Sequence, residues 1–155
     1  MPRVNINDLS NDAATWVFGI SPALDDEQSR VLLARVDAFL DQWAAHGAPI
    51  AAARELREGS FLIIAARPED EKSGCSIDRL FGTLRALERE LGVTILDANR
   101  VFYRNGGVRT VSRDEFRTAA TPDTPVFDTT AERLGQIRSG AWERAARDSW
   151  HAQLL

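Results

Sequence analysis

Residues 61–96 read FLIIAARPEDEKSGCSIDRLFGTLRALERELGVTIL, and the changes of pattern inside this stretch decide the fold. Residues 61–66 are apolar without alternation, the pattern of a central strand buried on both faces. Residues 67–74 (RPEDEKSG) are turn formers. Ile77, Leu80, Phe81, Leu84, Leu87 and Leu91 then recur at spacings of three and four, which is one face of an amphipathic helix. Gly92 follows as its stop. Ser76 reads as the helix N-cap, and Asp78 falls in the first turn, where the dipole favours an anion. Residues 93–96 begin another strand.

Upstream, residues 15–20 (TWVFGI) read as a first strand, and Ser21-Pro22 turns the chain. Leu32, Val36, Phe39, Leu40 and Trp43 form the buried stripe of a helix over 26–45, with Asp25, Asp26 and Glu27 at its start. Gly47 is placed as its C-terminal cap, with Pro49 just beyond. Residues 50–57 suit an edge strand, and Glu58-Gly59 the turn after it. The order strand, helix, strand, strand, helix, strand belongs to the α+β class and predicts a ferredoxin-like (split βαβ) antiparallel sheet with two helices, spanning about residues 14–100.

Residues 101–155 form a C-terminal hairpin-containing and helical extension of the same single domain, 1–155. Asn105-Gly106-Gly107 between residues 101–103 and 108–111 is a hairpin signal. Ser112 with Glu115 and Thr129 with Glu132 are capping boxes, each predicting a helix start. TPDTP at 121–125 is a rigid turn, and the tail places Trp142, Trp150 and His151 on further helix. Trp142 and Trp150 are expected to dock that tail on the sheet.

A length of 155 residues with 44% hydrophobic and 27% charged residues suits one globular domain with its own core. The net charge of -4 argues against a general nucleic-acid binder and against adhesion to anionic membrane. Arg138, Arg144 and Arg147 are interspersed with Glu132, Glu143 and Asp148, as on a solvated face. A single cysteine fits a reducing compartment. The first residues lack the pattern of a signal peptide, and no apolar run is long enough to span a bilayer, so a cytoplasmic location is expected.

Several chemistries lack their motifs. There is no G-x-x-x-x-G-K-[ST] to cradle nucleotide phosphates and no G-x-G-x-x-G for a dinucleotide. Two histidines and one cysteine without metal-ligand spacing predict no metal site, and no cofactor is implied. The stretches WAAHG (43–47), SGCSID (73–78), TPDTPVF (121–127) and DSW (148–150) nevertheless carry a likeness. Through them most of the chain resembles an uncharacterised family of small bacterial proteins often labelled ABC transporter ATPase. The resemblance implies a bacterial cytoplasmic protein with a common site around SGCSID, and the label's phosphate-binding motif is not in this sequence.

The split βαβ topology brings Cys75 and the start of the second helix to the same sheet rim as His46, with Asp97, Asn99 and Arg100 arriving from the end of the fourth strand. Three functions suit such a rim. The first is non-catalytic recognition of a small ligand or a protein partner, with helix-start N–H groups, Ser76, Asp78, Asn99 and Arg100 at the site. The second is a thiol-dependent enzyme, with Cys75 as nucleophile, His46 as base, and Asn99 or Asp97 orienting the imidazole. The third is a structural or assembly role, and the plain alternative to a reactive Cys75 is a small buried hydrophobe.

Overall fold

The computed structural model describes residues 3–155. At its centre lies β5 (Phe61–Ala66), every residue of which is buried. It pairs antiparallel with β1 (Ala14–Gly19) on one side and β4 (Ala52–Arg57) on the other, giving the order β1-β5-β4. Side chains alternate along the strand, so its two faces meet different layers. Leu62, Ile64 and Ala66 pack with Leu32, Val36 and Leu40 of α1 (Asp26–Leu40) and Leu80, Leu84 and Leu87 of α2 (Gly74–Leu91). Phe61, Ile63 and Ala65 pack with Phe102, Phe127 and Trp142. Burying one such leucine or phenylalanine is worth roughly 1.5–3 kcal/mol before entropy is charged against it.

The second layer is a four-stranded sheet of order β7-β6-β8-β9, formed by β6 (Arg100–Asn105), β7 (Gly107–Ser112), β8 (Pro125–Phe127) and β9 (Glu143–Ala145). Its far face, carrying Val101 and Val126, packs on Phe116 of α3 (Arg113–Ala119) and on the 3-10 turns Ala146–Asp148 and Trp150–Leu154. Arg104 ties the two sheets together by ion pairs to Glu58, in the β4–β5 turn, and to Glu143 of β9. The C-terminal residues are thus half of the core rather than an appendage. No helix of the described residues is long and apolar enough to cross a membrane.

The helix starts follow local chemistry. Asp25 with Gln28 and Ser112 with Glu115 form capping boxes. For α2 the cap is Ser73, not Ser76: Ser73 accepts from the Ser76 N–H, while the Ser76 hydroxyl accepts from the Ser73 N–H. Gly92 ends α2 in the left-handed region, as its position predicts.

Other expectations are corrected. The first helix ends at Leu40 rather than at residue 45. Trp43 leaves the helical stripe and donates its indole N–H to Ser76 O at 2.8 Å, so tertiary packing overrides the periodicity. Residues 44–49 form a miniature hairpin of β2 (Ala44–Ala45) and β3 (Ala48–Pro49). His46 and Gly47 occupy its turn with φ of 51° and 79°, so Gly47 serves a two-residue turn instead of a helix cap. The strand expected at 93–96 is reduced to one antiparallel bridge, Thr94 to Ser21. Thr129 and Glu132 open no helix; the short α4 (Leu134–Arg138) begins later, after Arg133. The tail holds β9 and 3-10 turns rather than further α-helix.

Candidate functional site

The residues expected at one rim fall into two groups. Cys75 is exposed on the first turn of α2. Ser76 is fully buried, and its hydroxyl is spent on the cap, accepting from Ser73 N–H at 2.9 Å and donating to Ser73 O at 2.8 Å. It has nothing left for a ligand. Asp78 is exposed on the same helix. His46 projects from its hairpin turn with a side chain 70% exposed, Nε2 3.8 Å from Glu71 Oε1. Among the described residues no hydrogen bond joins Cys75 to His46, and neither lines a cavity with Asp97, Asn99 or Arg100.

Asp97 and Arg100 stand elsewhere because the fourth strand stops. Past Thr94 the chain leaves β1 and crosses into β6 before it reaches the level of Cys75. Asp97 accepts the Asn99 N–H at 3.0 Å and pairs with Arg100 at 3.5 Å. Asn99 is exposed on the turn outside. Asp97 and Arg100 share a cleft with Phe81 and Arg85, which lie about 9 and 15 Å beyond Cys75 along α2 at 1.5 Å per residue.

This cleft, of about 340 Å³, opens where the two sheets and α2 meet. It is lined by the edge of β1 (Val17, Phe18, Gly19) and by Ile95, Leu96 and Ala98. On the helix side, Phe81 meets Phe18 edge to face with ring centroids 5.7 Å apart. On the other side the Phe102 ring lies directly on Gly19: a Cβ there would sit 2.2 Å from Phe102 Cε1. Only glycine allows the second sheet to close this tightly on β1. Arg85 forms no ion pair among the described residues, so the lining holds two guanidinium groups and one carboxylate.

The β1 edge supplies backbone groups as well. Ile20 donates inward to Ser60 O of the β4–β5 turn, and strand alternation therefore turns Thr15, Val17, Gly19 and Ser21 outward. Thr15 N–H is taken by Glu132 O at 3.0 Å, and Ser21 exchanges both bonds with Thr94. Between these ends, the N–H and C=O of Val17 and of Gly19 have no hydrogen-bond partner among the described residues. Continuing the Ser21–Thr94 register would set Leu96 opposite Gly19. Leu96 N–H instead goes to Glu88 Oε2 at 2.9 Å, and Ile95 N–H to the same oxygen at 2.7 Å. One carboxylate from the last turns of α2 peels the chain off the sheet and leaves the cleft in its place.

The lining of the cleft has apolar walls, two arginines, one aspartate and the Thr129 hydroxyl, with no histidine, cysteine or serine. Among the described residues no group of three His, Cys, Asp or Glu side chains is placed to hold a metal ion. Sequence reading found Asp97 and Arg100 but missed Arg85, Gly19 and Phe102. Phe81 was legible only as part of the buried face of α2.

His151, expected on a tail helix, lies instead in a 3-10 turn and is 1% exposed. Its Nδ1 lies 2.7 Å from Ser149 Oγ, its ring stacks on Trp150, and its Nε2 has no partner among the described residues. Burial lowers its pKa to about 4, with Arg144 and Arg113 adding to the effect and Asp128 opposing it. Neither Ser149 nor His151 lines the cleft beside β1. No family model, curated protein or solved structure matches the chain.

Proposed function

We propose that the chain is a non-catalytic binding domain whose ligand, an anion with an apolar body, occupies the cleft beside β1. The observation that carries this reading is the convergence of Arg85 and Arg100 on an aromatic-walled recess of about 340 Å³, a size ordinary for ligand sites. Guanidinium groups suit carboxylates because they donate two parallel hydrogen bonds. We read the N-terminal half as a ferredoxin-like unit whose fourth strand is cut short, so that the site occupies the space a complete sheet would fill.

The test is titration with 4-phenylbutyrate, followed by the NMR resonances of Gly19, Phe81 and Phe102, with 4-phenylbutanol as the uncharged control. Saturable shifts for the acid, weakened in Arg85→Ala and for the alcohol, support the reading. Shifts scattered over the surface, or equal for acid and alcohol, contradict it.

A second reading, thiol chemistry at Cys75, rests on the exposure of that side chain at the start of α2. Alkylation at pH 7 no faster than that of free glutathione would remove its support, because an activated thiolate reacts faster than an ordinary thiol.

A further inference from the structure

We propose that the occupant of the cleft is an extended peptide with a free carboxylate, which adds to β1 as the strand that residues 95–98 do not supply. The proposal rests on the cleft being the binding site and goes further in naming the partner's chemistry. Among the described residues the outward N–H and C=O groups of Val17 and Gly19 have no partner, whereas the Thr15 N–H and both Ser21 groups on either side are bonded. Outward residues two apart repeat at about 6.8 Å, the spacing that any extended chain matches with its own alternate amides.

A small organic acid would use the arginines and leave these backbone groups unpaired. A peptide uses both. Its alternate side chains would meet Phe18 and Phe81 on one side and Phe102 on the other, while its carboxylate takes Arg85 or Arg100. The gap between the two bonded ends accepts roughly three residues, about 10 Å of strand. Glu88 keeps the gap open by holding the Leu96 N–H, so the chain's own continuation does not compete for the edge.

The opposite edge of the sheet does not offer the same site. On β4 the outward residues Arg54 and Leu56 are flanked by Glu55 and Arg57, and Arg54 is held in an ion pair with Asp37. Charged side chains on an edge discourage strand addition. The uncovered stretch of β1, from Trp16 to Gly19, has none.

The experiment uses the full chain and a positional-scanning library of dye-labelled pentapeptides with free C-termini, read by fluorescence anisotropy. The expected result is saturable binding by a subset of pools. The best peptide should lose about tenfold in affinity, equivalent to 1.4 kcal/mol, when its C-terminus is amidated, when one edge-facing amide is N-methylated, or when Arg85 is changed to Ala. Its binding should also slow hydrogen exchange at Val17 and Gly19. Binding that survives N-methylation at every position overturns strand addition. Absence of peptide binding up to about 1 mM, with 4-phenylbutyrate still bound at the cleft, overturns the peptide and leaves the site standing. If neither probe perturbs the cleft, the site itself is refuted along with the peptide.

Discussion

The two edges of the β1-β5-β4 sheet are built to opposite ends. On the β4 edge, Val4 N–H bonds Ala52 O, Arg54 pairs with Asp37, and Arg57 pairs with Glu55. Arg3 adds further ion pairs to Asp37 and Asp41, so a polar, mostly paired surface borders the strand. The β1 edge is closed by backbone bonds at Thr15 and Ser21 and has none between them among the described residues, with apolar side chains and a glycine along the opening. Among the described residues both edges leave two outward residues without backbone partners. The chemistry of the flanking side chains, more than the backbone count, decides which edge repels a further strand and which accepts one.

Four changes break or sharpen this contrast, beginning with the largest effect. The second sheet props the β1 cleft open, and buried His151 makes that sheet sensitive to acid. The folded-state pKa of His151, about 4, lies below the 6.5 of a free histidine, so the neutral form is favoured on folding. Stability is therefore full above pH 6.5 and falls as the pH drops towards 4, by up to about 3 kcal/mol at 1.36 kcal/mol per unit. Urea unfolding across that range should show the slope, and His151→Gln should flatten it.

Gly19→Ala comes next. Its Cβ would collide with a Phe102 ring that is itself pinned against Phe61 at 5.2 Å. The expected cost is about 1–3 kcal/mol, seen as a lower denaturation midpoint, together with weaker binding of 4-phenylbutyrate as the displaced ring enters the cleft. Glu88→Ala has a smaller effect on stability, about 1 kcal/mol, but a diagnostic one on the edge. Freed from the carboxylate, Leu96 N–H can pair with Gly19, and the Gly19 amide should become more protected from exchange while cleft binding weakens. Arg54→Val is the mildest change. The loss of a partly exposed ion pair costs under about 1 kcal/mol, yet the β4 edge loses its charged guard, and sedimentation should show concentration-dependent self-association absent from the unmodified chain.

Much of the β1-β5-β4 half was legible because its signals are long. FLIIAA, the leucine face of α2 and the charge at the start of α1 each span several residues of one pattern. The missing fourth strand was not legible, since VTIL at 93–96 has every strand propensity and loses its pairing to a side chain from another element, Glu88. The hairpin at 44–49 was hidden for a similar reason: Gly47 after an apolar stripe looks like a helix cap until Trp43 is seen bonded to Ser76. Strands β8 and β9, three residues each, are too short to carry a period. Of the site, Asp97 and Arg100 were visible as candidates, but their neighbours depended on where the fourth strand stopped. Gly19 could be recognised only once Phe102 was known to lie against it.

Both the cleft and strand addition require the β1 edge to be open in its middle. Amide hydrogen exchange of the unliganded protein measures this residue by residue. Trp16 and Phe18 donate inward to β5, and Val17 and Gly19 face outward. The predicted result is an alternation, with Val17 and Gly19 exchanging at least about a hundredfold faster than Trp16 and Phe18. Equal, strong protection at all four positions would mean that another strand already covers the edge, and would rule out both the open cleft and strand addition.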